Sequence, residues 1–66
     1  MVQKVIEIVG YSKDSFAKAA ETAVKEAAKT VKGMKWARVD ELEMELDGDK
    51  VLQYRANVKI YFDVKN

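Results

Sequence analysis

The segment VLQYRANVKIYFDV, Val51–Val64, has the most regular polarity pattern in this 66-residue sequence. Hydrophobic side chains occupy every second position, and mostly polar side chains fill the positions between them. Successive side chains of a β-strand point to opposite faces of a sheet, so the alternation predicts a long strand with one buried face. The residues predicted to be buried are Leu52, Tyr54, Ala56, Val58, Ile60, Phe62 and Val64.

A second strand is predicted to precede it, joined by the turn Asp47–Asp49, because Asp-Gly favours a tight hairpin. The apolar positions of this second strand are odd-numbered before residue 40 and even-numbered after residue 41. One residue inserted near Asp40 or Glu41, a β-bulge, accounts for the change of phase. The buried side would then carry Ala37 and Val39 first, and Leu42, Met44 and Leu46 later.

This phase places Trp36, the only tryptophan, on the polar face of the sheet together with Arg38. From residue chemistry alone, an aromatic ring on such a face has two interpretations. The Trp36 ring either packs at a subunit interface, where aromatic residues are enriched, or stacks on a flat ligand.

The first strand is predicted over Gln3–Val9, which is rich in valine and isoleucine, with Gly10 as the turn residue that closes it. A helix follows, with Ser12 as its N-cap and Asp14 or Ser15 as alternative starts. Gly33 is predicted to end this helix. Its buried stripe is predicted to be Phe16, Ala20, Ala23, Val24, Ala27 and Val31.

The composition is that of one small globular domain, residues 1–66, with 48% hydrophobic and 35% charged residues. The chain has no cysteine and no histidine, so disulfides and the commonest transition-metal ligands are excluded. A core this small is marginally stable alone, and self-association is therefore expected. The net charge of +1 argues against a nucleic-acid partner. No apolar run approaches the ~18 residues of a membrane span, and a cytoplasmic protein is expected.

Four segments together resemble the dodecins, small flavin-binding proteins that assemble as hollow dodecamers. They are VGYS (Val9–Ser12), SFAKAAETAVKEAAKTV (Ser15–Val31), MKWARV (Met34–Val39) and YRANVKIYFDV (Tyr54–Val64). The resemblance implies an α+β fold of order β-α-β-β, in which a three-stranded antiparallel sheet wraps around one helix. It also implies a homododecamer.

The resemblance gives Trp36 a role as the residue that stacks on the isoalloxazine ring of a flavin. Two flavins would lie together between two such tryptophans of neighbouring subunits. The implied function is storage or sequestration of riboflavin, FMN or FAD, without catalysis. The alternative is a dodecin-like shell that binds no flavin and has a structural role or binds another small ligand or ion.

Arg55 departs from the pattern of strong flavin binders in this family, which have a glutamine after the tyrosine of the last strand. A guanidinium only donates hydrogen bonds, so it cannot accept one from the flavin N3–H. Gln53, two residues earlier on the same face, is a candidate for the missing amide. The candidate flavin-binding residues are Trp36, Arg55, Arg38, Gln53 and Glu45.

Other interpretations stay open for the charged residues. Arg38 and Arg55 are alternatively ion-pair partners of Glu41, Glu43 or Glu45 of neighbouring subunits. The acidic run over residues 40–49 has the oxygen ligands that calcium prefers. It lacks the spacing of a calcium-binding loop, so no metal site is predicted. With no acid–base or nucleophile constellation, no enzyme is predicted either.

Overall fold

A computed structural model describes residues 2–64, which form three strands and one helix. The elements are β1 (Val2–Ser12), α1 (Phe16–Ala28), β2 (Met34–Asp47) and β3 (Lys50–Val64). Both strand pairs are antiparallel, and β3 lies between β1 and β2. The predicted fold class, β-α-β-β with one antiparallel three-stranded sheet, is confirmed.

The central strand is the one with the regular alternation, and its predicted buried face is confirmed at the core. Ala56, Val58 and Ile60 are almost completely buried beneath α1. A strand hydrogen-bonded on both sides and covered on one face needs an uninterrupted period-2 pattern, which is why β3 was the easiest element to predict.

Helix α1 differs from the prediction at both ends. Its N-cap is Ser15, one of the alternative starts, whose side chain accepts a hydrogen bond from the backbone N–H of Lys18. Ser12 instead accepts from the backbone N–H groups of Asp14 and Ser15, and so shapes the turn before the helix. The helix ends at Ala28, short of Gly33. Its last turn tightens because two backbone N–H groups, of residues 30 and 31, share the carbonyl of residue 27.

The stripe of α1 that faces the sheet is narrower than predicted and displaced by part of a turn. Its buried residues are Ala19, Ala23 and Ala27. Ala19 was not predicted, and Ala20 and Val24 lie at the edge of the core, only partly buried. A stripe of alanine alone has little hydrophobic contrast, so its centre is difficult to locate from periodicity.

Gly10 is not a turn residue, and this prediction was wrong. Strand β1 continues through it to Ser12, and Gly10 itself is buried against α1. A Cβ at this position would overlap the carbonyl oxygen of Ala19 and come within 2.6 Å of the backbone nitrogen of Ala23. The absence of a side chain therefore lets the helix backbone lie directly on the strand.

Three irregularities interrupt the pairing of β2 with β3, two with the extra residue in β2 and one with the extra residue, Leu52, in β3. The predicted bulge is confirmed between Val39 and Glu41, and two more register shifts, between residues 34 and 36 and between residues 45 and 46, were not predicted. The hairpin closes through a two-residue turn, Gly48 and Asp49, in which Gly48 has φ +63°. A positive φ at the first turn residue is the feature that favours glycine there.

The hairpin of β2 and β3 extends well beyond the helix. The chain spans 51 Å in its longest dimension, whereas 13 helical residues cover only about 20 Å. Four side chains near the turn were predicted to be buried and are instead about half exposed, because the helix does not reach them: Leu42, Met44, Leu46 and Leu52. Within residues 2–64, no helix has the length and apolar character needed to cross a membrane.

Candidate functional site

The sheet face turned away from α1 carries most of the polar side chains, in rows that cross the three strands. One row joins Glu7, Lys59 and Arg38, and another joins Tyr11, Arg55 and Glu43. These side chains share a face because directly opposite residues of antiparallel strands point to the same side. All five residues predicted to bind flavin belong to this polar face.

Trp36 lies near one end of the face, opposite Tyr61, which in turn lies opposite Val5. The three form a row of mostly apolar character at the edge of an otherwise charged surface. Trp36 is 72% exposed, the highest exposure of any large hydrophobic residue in the described part of the chain. A free indole face in this position has room for a flat partner.

Arg38 belongs to an ion-pair network centred on Asp40. The Asp40 carboxylate is 2.9 Å from Arg38 Nε and 3.1 Å from Lys59 Nζ. The hydrogen bond and charge of Asp40 raise the pKa of the Lys59 ammonium, and the charge of Glu7 adds to this. Within its own chain Arg38 therefore pairs with Asp40 and not with Glu41, Glu43 or Glu45, and pairing with those glutamates of neighbouring subunits stays a prediction. Asp40 lies on the same face as Arg38 because it follows Arg38 by two residues, and the bulge then returns Glu41 to that face as well.

Arg55 is held inside its own chain by Glu43. Arg55 Nε donates a hydrogen bond to Glu43 Oε1 over 2.8 Å, and both side chains are about half exposed. The hydrogen bond and charge of Arg55 lower the pKa of the Glu43 carboxyl. The same hydrogen bond from Glu43, followed by one involving Tyr11, raises the pKa of Arg55. Glu43 was among the expected partners, but the pairing lies within one subunit and not between subunits.

Gln53 and Glu45 form the next row towards the turn. Gln53 Nε2 donates to Glu45 Oε1 over 2.7 Å. Because this bond uses the amide nitrogen, the carbonyl oxygen of Gln53 can still accept a hydrogen bond. A depression of about 490 Å³ lies over this part of the face, lined by Tyr11, Glu43, Met44, Glu45, Gln53 and Arg55.

The five predicted site residues therefore fall into two groups. Trp36 and Arg38 lie at one end of the polar face, and Arg55, Gln53 and Glu45 line the depression at the other end. Trp36 is opposite Tyr61, six residues from Arg55 along β3, which corresponds to about 20 Å. One chain does not bring the indole and the depression together.

Tyr11 is a residue of the depression that the sequence analysis missed. It was overlooked because β1 was predicted to end before Gly10. A signal was present, since continuing the alternation of Val5, Glu7 and Val9 by one step reaches Tyr11. Asn57 was also missed; its buried Oδ1 has no hydrogen-bond partner within residues 2–64.

The acidic residues of β2 do not gather into a metal site within the described chain. No group of three carboxylates there could hold a metal ion. Asp40, Glu43 and Glu45 are each engaged by a neighbouring side chain. This is the ion-pair alternative considered for the acidic run.

Comparison with known families identifies the family to which this fold belongs. The family model described as Dodecin matches residues 2–65. This chain belongs to the dodecin family. The family match supports self-association of this dodecin, in agreement with the hydrophobic residues that a single chain leaves exposed.

The relatives of this dodecin differ in what their names state. Calcium dodecin of Mycobacterium tuberculosis is 36% identical over 64 residues, covering 97% of this chain and 90% of that protein. Its crystal structure, described as having a novel calcium-binding site, is similar with a TM-score of 0.84 and 35% identity, covering 98% of this chain and 93% of that one.

Two further solved structures are similar over nearly the whole length. A mutant dodecin of Thermus thermophilus gives a TM-score of 0.90 with 26% identity, covering 98% of this chain and 97% of that one. The dodecin of Streptomyces coelicolor gives 0.91 with 25% identity, covering 98% and 93%. The long hairpin and short helix are therefore shared across distant members.

Proposed function

We propose that this dodecin stores or sequesters a flavin (riboflavin, FMN or FAD) in a closed homododecamer, without catalysing a reaction. Two isoalloxazine rings would stack between Trp36 side chains of neighbouring subunits. The exposure of the Trp36 indole on the polar face carries this proposal. An indole gains most from a flat aromatic partner, which buries apolar area while leaving the edges of both rings open to polar groups.

The polar depression has groups suited to the hydrogen-bonding edge of a flavin. The carbonyl oxygen of Gln53 and the carboxylate of Glu45 can accept from the ring N3–H. The remaining guanidinium N–H groups of Arg55 can donate to ring carbonyls or to a phosphate. Since these residues are about 20 Å from Trp36 within one chain, a complete site requires side chains from at least two copies.

A closed shell would also explain how a chain with so small a buried core is stable. Within residues 2–64, its buried hydrophobic core consists of six residues, three of them on the helix and three on β3. Chains of this size without disulfides or metals are commonly stabilised by association. Twelve copies would cover the exposed end of the hairpin and enclose the polar faces. The cytoplasmic location expected from the sequence remains part of this proposal.

The visible absorption spectrum of the purified protein tests flavin binding. We expect a yellow sample, or one that becomes yellow and stays yellow through gel filtration after incubation with riboflavin or FMN. Chromatography of the ligand released by denaturation identifies the flavin. A colourless protein after incubation with all three flavins would contradict the proposal.

Calcium binding by the shell is a second candidate. It is favoured by the name of the relative that is 36% identical. The unpartnered Oδ1 of Asn57 lies opposite Glu41 on the polar face, so two oxygen donors are adjacent. Calcium takes six to eight oxygen ligands, so carboxylates from several copies would have to converge.

Calorimetric titration with calcium and with magnesium distinguishes this candidate from a flavin site. Calcium binding that is lost in Glu41→Gln and kept in Asp14→Asn would support it. Heat of binding that is absent for both ions, in a protein that binds flavin, would leave the flavin proposal alone.

A further inference from the structure

Tyr11 forms one wall of the polar depression, at the point where the sheet narrows from three strands to two. Strand β1 ends at Ser12, which lies opposite Tyr54 on the helix-facing side of the sheet. Tyr11 is therefore the last residue that β1 contributes to the polar face, and the next row, Gln53 and Glu45, has no β1 residue beside it. Tyr11 is 48% exposed, so its phenol is accessible from the depression that it lines.

The phenol of Tyr11 is oriented by the cation next to it. Tyr11 lies directly opposite Arg55, whose Nε donates to Glu43 on the other side. The hydrogen bond to Glu43, followed by one to Tyr11, raises the pKa of Arg55. Because a guanidinium only donates, the phenol oxygen of Tyr11 is the acceptor, and its own O–H is available to another partner. A hydroxyl that accepts from a cation is polarised and becomes a stronger donor.

The amide of Gln53 is oriented in the opposite sense by an anion. Gln53 Nε2 donates to Glu45 Oε1 over 2.7 Å. A carboxylate only accepts, so Gln53 must present its nitrogen to Glu45, and its carbonyl oxygen is left as the acceptor. Two neutral side chains thus have their polarity fixed by charged neighbours, Tyr11 as a donor and Gln53 as an acceptor.

This donor and this acceptor lie close enough to contact one ligand. Gln53 precedes Arg55 by two residues on β3, so Tyr11 and Gln53 are diagonal neighbours across β1 and β3. Such positions are about 7–8 Å apart, and aromatic and long side chains reach across that distance. A cyclic imide, which has a C=O next to an N–H, matches the pair. The pyrimidine edge of an isoalloxazine ring is an imide of this kind.

We propose that Tyr11 is a specificity-determining residue whose O–H donates to a ring carbonyl of the ligand, while Gln53 Oε1 accepts from the adjacent N3–H. This inference rests on the proposed flavin function and names the part of the flavin that the depression recognises. Arg55 and Glu45 act as positioning residues, because they fix the direction of the two hydrogen bonds.

Tyr11→Phe tests the donor, since it keeps the ring that forms the wall and removes only the hydroxyl. We expect riboflavin affinity to fall about two- to tenfold, the usual effect of one hydrogen bond. Infrared difference spectra of riboflavin isotope-labelled at its ring carbonyls should show a carbonyl stretch at higher wavenumber in the variant, because the bond to Tyr11 is lost. Tyr54→Phe is the matched control. Its phenol lies on the helix-facing side against Phe16, so affinity and carbonyl bands should not change.

N3-methylriboflavin tests the acceptor and needs no variant. It keeps both ring carbonyls and lacks the N3–H, so the unmodified protein should bind it at least about fivefold more weakly than riboflavin. The weakening should persist in the Tyr54→Phe control.

Three results would overturn the inference. Unchanged affinity and carbonyl bands in Tyr11→Phe would mean that Tyr11 is only a wall. Equal binding of riboflavin and N3-methylriboflavin would mean that the imide edge is not read in the depression. Both results would leave the proposed function standing, because riboflavin is still bound. Failure of the unmodified protein to bind any flavin would overturn the function and this inference together.

Discussion

Arg55 donates a 2.8 Å hydrogen bond to Glu43, its direct neighbour across β3 and β2. The guanidinium lies at the edge of the polar depression, where a flavin would need an acceptor for its N3–H. It is charged throughout the accessible pH range, because Glu43 raises its already high pKa. Arg55 therefore presents only donors where the proposed ligand needs both donors and acceptors.

Replacing Arg55 by glutamine should tighten riboflavin binding. The amide can accept from the flavin N3–H at the position where Arg55 cannot. Where Gln53 and Glu45 do not reach that N–H, the unmet buried donor costs about 1–3 kcal/mol, or roughly five- to a hundredfold in affinity. The gain should be smaller for FMN if the guanidinium helps to hold its phosphate. Titrations of both flavins against both proteins at two salt concentrations measure the effect.

Lys18→Gln is the matched control for this change, because Lys18 is an exposed cation of α1 that pairs with Asp14 and lies away from the polar face. Equal or weaker riboflavin binding by the Arg55→Gln variant would mean that Arg55 does not limit the site. Its role would then be to order the hairpin through Glu43.

The Glu43 carboxyl should titrate below its usual pKa, because the hydrogen bond and charge of Arg55 favour the ionised form. A carboxyl whose folded pKa is depressed stabilises the fold above its unfolded pKa, and this contribution is lost as the pH falls through the folded value. The pair is therefore intact at neutral pH and breaks only in acid. Carboxyl-selective NMR titration measures the shift, and the depression should disappear in Arg55→Gln. An unchanged Glu43 titration in that variant would show that the pair does not persist in solution.

Adding one methyl group at Gly10 should destabilise the chain by about 1–3 kcal/mol, a typical cost of overpacking. The new Cβ would lie within 2.6 Å of the Ala23 backbone nitrogen, and a backbone atom cannot rotate away as a side chain can. Urea unfolding at equal protein concentration compares Gly10→Ala with Gly48→Asn. A Cβ at Gly48 meets nothing within 4 Å, and asparagine tolerates its positive φ. Equal stability of the two variants would contradict the close approach of α1 and β1.

Local sequence patterns predicted much of this fold. The polar–apolar alternation of β3, the Asp-Gly turn and the change of hydrophobic phase in β2 can each be seen in a few neighbouring residues. The buried face of β3 and the bulge next to Asp40 were both predicted in this way. The role of Gly10 could not be predicted, because a strand-ending glycine and a glycine beneath a helix are identical in sequence. Only the packing of α1 distinguishes them.

The candidate site was harder to predict, because each inserted residue shifts the pairing of every residue after it. Which side chains face each other across two strands therefore depends on all the bulges between them and the turn. Three register irregularities, two with an extra residue in β2 and one with an extra residue in β3, decide that Glu43 faces Arg55. Only one of these irregularities changes the hydrophobic phase enough to be noticed. The distance between Trp36 and Arg55 likewise depends on how β2 pairs with β3, and no local sequence pattern predicts that pairing.

Self-association should be evident in dilute neutral buffer. Sedimentation equilibrium is expected to give the mass of the proposed homododecamer, twelve times the 7.5 kDa of one chain. Association would cover Leu42, Met44, Leu46 and Leu52, which are about half exposed in one chain. Dissociation and unfolding should coincide, and the unfolding midpoint should rise with protein concentration. Leu46→Glu should weaken assembly, whereas Glu26→Gln should not. A stable folded monomer would contradict the shell.

Titration of the Trp36 emission with riboflavin tests the central claim most directly, since the chain has no other tryptophan. Stacking should quench this emission as the flavin binds. Equilibrium dialysis should show that Trp36→Ala loses about 1–3 kcal/mol per flavin, by analogy with base–aromatic stacks, whereas Trp36→Phe keeps part of the affinity. Unchanged Trp36 emission at saturating riboflavin, or wild-type affinity in Trp36→Ala, would contradict the stacking role.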